Sequence, residues 1–335
     1  MSHHPADSTA EGVAFLFPGQ GAQYPGMGSD LCKAHPVAQR RYDTASELLG
    51  YDLLALCTED RDGVLNQTRY TQPALLTHGL ACLEVFNELT DGQVRPALAA
   101  GHSLGEYAAL VATGVLNFEV ALGLVQVRGE LMATHGEGEM AAFPLDEAQL
   151  APLAQAHYCA VAACNLPGQT VAGGAAADLD ALTQTVVERD AKTARRVVRL
   201  KTEGAFHTYY MVEAAKRFRP VLARVTFDPP SHGRPLSNFS GDFHSREAAD
   251  LRAQLFYQLF HPVRWLDNLR VIAREPIGVA VEFGGGLGSG ADPATKRPNL
   301  ESMFKKAMAH FERRDIQYLP AINEASLAAA GRFFA

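Results

Sequence analysis

Short runs that are apolar at every position alternate with longer stretches of helical period, and that alternation predicts an α/β fold. Val13-Ala14-Phe15-Leu16-Phe17 is wholly apolar and stops at Pro18-Gly19, which predicts a strand buried on both faces. Leu76, Leu80 and Leu83 recur at helical spacing behind Thr71-Gln72-Pro73-Ala74, with the proline expected in the first turn, where its missing N–H costs nothing. Phe86 follows, and the helix is expected to end near Thr90-Asp91-Gly92. Pro96-Ala97-Leu98-Ala99-Ala100 predicts a second buried strand. Asn117 is a good N-cap for a helix over residues 118–132, in which Ala121, Leu124, Val125, Arg128 and Met132 share one face. Val279-Ala280-Val281-Glu282-Phe283 predicts a last buried strand ahead of a glycine run.

The texture changes near Gly138. Strand patterns over 140–145, 158–165, 170–174 and 195–200 enclose helical patterns over 146–156 and 178–190. The order β-α-β-β-α-β is that of a ferredoxin-like unit. The predicted organisation is a large lobe over 11–137 and 205–322, an inserted small lobe over 138–204, and tails over 1–10 and 323–335.

Composition narrows the function. With 335 residues, 47% hydrophobic and 20% charged, the chain can build a large core. A formal charge of −7 gives no basic field for nucleic acid. No apolar run reaches the roughly 18 residues that span a bilayer, so no membrane partner is expected. Cys32, Cys57, Cys82, Cys159 and Cys164 are scattered without a C-x-x-C pair, which points to reduced thiols in a cytoplasmic protein and to no metal site. Gly284-Gly285-Gly286-Leu287-Gly288-Ser289-Gly290 satisfies no dinucleotide-binding register. Lys192, Arg195, Arg196, Arg199 and Lys201 form a local basic cluster suited to an acidic partner, to a coenzyme phosphate or to a solvated strand edge, and Lys296-Arg297 is a second candidate patch for an acidic partner.

Gly101-His102-Ser103-Leu104-Gly105 stands between the second strand and a small-residue helical segment, the setting of a nucleophile elbow. A serine held there projects its hydroxyl above the sheet edge, and the following helix turns free N–H groups toward developing negative charge. Arg128 falls among apolar neighbours, where a guanidinium needs an anion or several acceptors; a carboxylate such as Glu106 or Glu130, or a route to water, would also satisfy it. Gly19-Gln20-Gly21 after the first strand could offer a backbone N–H, or be a plain turn.

Six stretches coincide, in order, with one family. They are Phe17-Pro18-Gly19-Gln20-Gly21-Ala22-Gln23, Thr71-Gln72-Pro73-Ala74-Leu75, the elbow with Glu106-Tyr107, Val127-Arg128-Gly129, Gly204-Ala205-Phe206-His207 and Gln258-Leu259-Phe260-His261-Pro262-Val263. The chain resembles the malonyl-CoA:acyl carrier protein transacylases over residues 13–320, and among them the free-standing acyltransferases of polyketide assembly lines. The resemblance implies an α/β-hydrolase-like large lobe with a parallel sheet. It implies that Ser103 is the nucleophile, His207 its base, the Gln20 and Leu104 N–H groups the oxyanion hole, and Arg128 the clamp on a malonyl carboxylate. The backbone carbonyl of Gln258 would orient the histidine, with Phe206 and Asn165 lining the acyl pocket. Malonyl-CoA and an acyl carrier protein are the implied substrates, with no bound cofactor.

Two departures stand out: Gly284-Gly285-Gly286 replaces the family's Gly-Pro-Gly turn, and residues 289–306 form a longer segment than in the fatty-acid enzymes. Editing hydrolysis, an unusual or carrier-delivered acyl unit, a non-catalytic carrier-binding module and a generic esterase are the competing functions. An arginine in the acyl pocket opposes the first and the last of these, and the intact Ser103, His207 and Arg128 oppose a non-catalytic module.

Overall fold

The computed structural model describes residues 12–335; the tail expected over residues 1–10 lies outside them. Nine strands are described: β1 (Gly12–Phe17), β2 (Pro96–Gly101), β3 (Glu139–Phe143), β4 (Ala160–Leu166), β5 (Gln169–Gly174), β6 (Val198–Leu200), β7 (Arg234–Pro235), β8 (Ile277–Phe283) and β9 (Gln317–Ala321). Five of them form a parallel sheet in the order β7-β2-β1-β8-β9. Its inner strands are almost wholly apolar, Glu282 of β8 excepted, because helices cover both faces. Phe15, Phe17, Phe86 and Phe283 meet at the middle, with Phe15 edge-on to Phe283 at 4.8 Å and Phe17 stacked on it at 5.6 Å.

Register places the loops that matter. Phe17 pairs with Gly101, so the chain leaves β1 and β2 side by side at the C-terminal edge of the sheet. The His102 N–H donates to the Phe17 carbonyl at 3.0 Å and ties the two exits together. Both elbow glycines are required by close approach. A Cβ on Gly101 would stand 1.9 Å from the Gly105 carbonyl, and one on Gly105 would stand 2.2 Å from the Phe17 oxygen.

β4-β5-β3-β6 is an antiparallel sheet in ferredoxin-like order. The helices Glu147–Ala156 and Ala176–Arg189 cover one face through Leu150, Leu179, Leu182 and Val186. From the other face Met140, Ala163 and Val171 join the same apolar cluster as Met132 and Phe206. The small sheet is stitched to the large lobe where Val263 donates to Ala162 and Cys164 donates to Val263, at 3.0 and 2.9 Å.

Three expectations are corrected. Residues 323–335 are no tail: Asn323 caps the helix Glu324–Phe334, whose Leu327 and Ala330 are buried in the core. Pro73 lies inside the helix Thr68–Leu89, not in its first turn, because the Glu203 carboxylate, far along the chain, takes the Thr68 N–H at 2.5 Å and the helix begins earlier. The strand expected over 195–200 is only β6, since a 3₁₀ turn occupies Ala191–Arg196 and pairing with β3 begins at Val198.

Candidate active site

Ser103 turns between β2 and the helix Gly105–Ala112 with φ at +53°, a left-handed conformation that a non-glycine residue adopts only under constraint. The constraint is visible on both sides of the residue. Its N–H donates to Asn238 Oδ1 at 2.6 Å, and its carbonyl accepts from Gln258 Nε2 at 2.9 Å. The hydroxyl then faces His207 Nε2 at 2.7 Å.

His207 is itself left-handed at φ +61° and only 5% exposed. Its Nδ1 meets the Gln258 carbonyl at 2.8 Å, and because a carbonyl only accepts, Nδ1 carries the proton. Nε2 therefore presents a lone pair to Ser103. Burial and then the nearby Arg128 cation push the imidazole pKa down to about 3, against a smaller opposing pull from the Gln258 carbonyl. The ring is neutral and basic-side-out without an aspartate behind it.

Arg128 is brought to Ser103 by packing. The helix Phe118–His135 runs against Thr68–Leu89, and Gly129 permits the approach: a Cβ there would stand 2.9 Å from the Thr68 carbonyl oxygen. The guanidinium is 1% exposed and donates to Gln72 Oε1 at 2.7 Å, Gln258 Oε1 at 3.0 Å and Ser103 Oγ at 3.1 Å. Its Nε is buried without a partner. Of the expected alternatives, neither Glu106 nor Glu130 bonds the guanidinium directly, although the Glu106 carboxylate acts on it through space, and its face toward the cleft is almost closed to solvent. Every acceptor on Arg128 is neutral, and desolvation lowers the guanidinium pKa.

These groups open on a cleft of about 370 Å³ between the two sheets. Gln20 and Leu104 line it, and neither backbone N–H is bonded among the described residues. The Gln20 side chain is held by Thr68 Oγ1 at 3.1 Å. Phe206 lies on the wall, and Asn165 reaches it while its Oδ1 accepts from His102 Nε2 at 2.9 Å. Met132, Met140 and Met303 complete an apolar lining.

The structure adds residues that the sequence did not single out for chemistry. Gln72 was visible only as part of a motif, and Asn238, which holds the elbow, carried no signal. Asn299 and Met303 enter the cleft from the long segment. That segment is tied down by the Glu282 carboxyl, which accepts the Asn299 and Leu300 N–H groups and which burial raises to about 7. Lys296 is no docking charge: it is 6% exposed, with its ammonium donating to the carbonyls of Gly288, Ser289 and Gly290 and lying over the Tyr24 ring. Arg199 is paired with Glu139 and Asp180, whereas Lys192, Arg195, Arg196 and Lys201 are exposed and Lys201 stands on the cleft. Among the described residues no three His, Cys, Asp or Glu side chains are grouped to hold a metal, and no helix is long and apolar enough to cross a membrane.

Residues 14–264 match the family model described as an acyl transferase domain. The malonyl CoA-acyl carrier protein transacylase of Bacillus subtilis is 37% identical over 286 residues, covering 82% of this chain and 87% of that protein. The polyketide biosynthesis protein ThaF of Burkholderia thailandensis is 39% identical over 299 residues; the match covers 84% of this chain and 24% of that much longer protein. Among solved structures, the malonyl CoA-acyl carrier protein transacylase of Coxiella burnetii aligns with a TM-score of 0.84 at 32% identity, over 97% of this chain and 98% of that one. A malonyl-transacylase in complex with a type II polyketide acyl-carrier protein aligns with a TM-score of 0.84 at 31% identity, over 96% and 99% of the two chains.

The protonation state of His207 gives a direct test. Burial and Arg128 both oppose the imidazolium, so NMR should show the ring still neutral as pH falls through the ordinary histidine value of about 6.5. Arg128→Ala removes the second largest of the causes that lower the pKa and should move the titration upward. A His207 that titrates near its ordinary value in wild type, or is unmoved in Arg128→Ala, would contradict the electrostatic account.

Proposed function

The chain belongs to the acyl transferase domain family, and we propose that it moves a malonyl-type group from coenzyme A to the phosphopantetheine thiol of an acyl carrier protein through an ester on Ser103. The observation that carries this reading is a buried Arg128 with only neutral acceptors, 3.1 Å from the serine hydroxyl. A substrate with a free carboxylate close to its reacting carbonyl supplies the missing anion. A planar guanidinium can hold it bidentately, which a point charge cannot.

The chemistry follows from the placement of each group. His207 Nε2 takes the hydroxyl proton as Ser103 Oγ bonds to the thioester carbon. The carbonyl oxygen becomes an oxyanion between the Gln20 and Leu104 N–H groups, each such donor lowering the barrier by roughly 3 to 4 kcal/mol. The C–S bond breaks, and the coenzyme A sulfur leaves with the proton from His207. The carrier thiol then reverses the sequence: His207 takes its proton, its sulfur attacks the ester, and Ser103 recovers its proton. No redox step occurs, and no metal or organic cofactor is asked for. A half-enclosed apolar cleft shields the ester from water between the two transfers. Polyketide assembly is the setting we favour, since relatives named for polyketide biosynthesis stand among the similar proteins. A coenzyme A thioester donor places the work in the cytoplasm.

The exposed cations Lys192, Arg195 and Arg196, beyond Lys201 at the cleft, form the face we assign to an acidic carrier. Two outcomes test the proposal. Intact mass after exposure to malonyl-CoA should show one malonyl adduct on wild type and none on Ser103→Ala, while Arg128→Ala should lose about 100-fold or more in kcat/KM for malonyl-CoA relative to acetyl-CoA. An unchanged malonyl-to-acetyl ratio would remove Arg128 from the clamp role. Separately, Arg195→Glu with Arg196→Glu should raise KM for the carrier about fivefold and flatten its salt dependence, leaving loading from malonyl-CoA as it was. Carrier kinetics equal to wild type would place the docking face elsewhere.

A further inference from the structure

We propose that Glu106 and His244 form a buried positioning pair that fixes the Gln258 amide, and through it both the Ser103 elbow and the Arg128 guanidinium. This rests on the acyl-transfer reading above. Neither Glu106 nor His244 lines the cleft, and both side chains are almost wholly buried.

The argument starts from the bonds Glu106 makes. One carboxylate oxygen accepts from Gln258 Nε2 at 2.9 Å and from the Asn238 N–H at 3.1 Å; the other accepts from His244 Nε2 at 2.6 Å. Gln258 uses its remaining groups on the reacting centre: Nε2 also donates to the Ser103 carbonyl, and Oε1 accepts from Arg128. Asn238 holds the Ser103 N–H through Oδ1. Both peptide groups of the left-handed serine are therefore held by residues that are themselves bonded to Glu106.

Polarity makes the arrangement one-way. A carboxylate only accepts, so it draws the NH₂ end of Gln258 toward itself and leaves the oxygen for Arg128. With the amide reversed, its NH₂ would face the guanidinium N–H groups and its oxygen would face the carboxylate and the Ser103 carbonyl. The orientation that serves Arg128 is thus enforced from behind.

His244 has no other visible duty. Its Nδ1 is buried without a partner, so the bond to Glu106 is the ring's one side-chain polar contact among the described residues. Burying a ring nitrogen unpaired is unfavourable, and retaining it here is explained by what Nε2 does for the carboxylate.

The test compares wild type, Glu106→Gln, His244→Phe and His244→Gln by rapid-quench intact mass with malonyl-CoA and with acetyl-CoA. Glu106→Gln and His244→Phe should each slow Ser103 acylation by about 20-fold or more and shrink the malonyl preference by about fivefold, because the first removes the carboxylate that orients the amide and the second removes the donor that holds that carboxylate in place. His244→Gln restores a donor at the same reach and should return both readouts to within about threefold of wild type. A merely structural role would not move the malonyl-to-acetyl ratio. Folded Glu106→Gln and His244→Phe with wild-type rate and preference, or a His244→Gln as impaired as His244→Phe, would overturn the proposal. Should Glu106→Gln not fold, the two His244 variants decide it. A wild-type protein that takes up no malonyl group would instead defeat the acyl-transfer reading on which the pair rests.

Discussion

A guanidinium buried beside the Ser103 hydroxyl with no carboxylate bonded to it is the constraint on which the site depends. Arg128 cannot shed its proton, so its burial is tolerable only through the ordered amides of Gln72 and Gln258 and the Ser103 hydroxyl. Removing one partner of a desolvated charge costs about 3 to 5 kcal/mol, so each of these neutral acceptors matters to the folded site. The same charge acts on His207, where it adds to burial in keeping the imidazole neutral. On the proposed function, substrate selection and the readiness of the base share one cation: a bound carboxylate would offset it and let the ring accept a proton more readily during acylation.

Gln258 converts that constraint into geometry. Its carbonyl oxygen fixes the His207 tautomer, its amide oxygen meets Arg128, and its amide nitrogen holds the Ser103 carbonyl. A backbone carbonyl behind the histidine orients it without adding a second buried negative charge. The two sheets divide the remaining work. The parallel sheet brings the Gln20 loop and the elbow out together through the Phe17–Gly101 register, and the antiparallel sheet lends one face to close the cleft.

Much of this was legible in the sequence because the signals were local. Apolar runs marked β1, β2 and β8, the β-α-β-β-α-β order marked the small sheet, and the elbow glycines marked a turn whose close contacts the structure explains. Ser103, His207, Arg128 and Gln258 were named from motifs, and the fold brings all four into mutual contact. What was not legible depends on partners distant in the chain. Pro73 was assigned to a first turn because the Glu203 carboxylate that starts the helix earlier lies 135 residues away. Lys296 read as a surface charge because nothing local reveals three carbonyls around it. Asn238 and His244 carried no local signal, since the residues they bond, Ser103 and Glu106, lie more than a hundred positions away.

Calorimetry on Ser103→Ala tests the central claim most directly, because it measures donor binding with the chemistry removed. If Arg128 is an unsatisfied cation built for a carboxylate, malonyl-CoA binds at least about tenfold more tightly than acetyl-CoA, a difference of about 1.4 kcal/mol or more. Equal affinities, or tighter binding of acetyl-CoA, would contradict it.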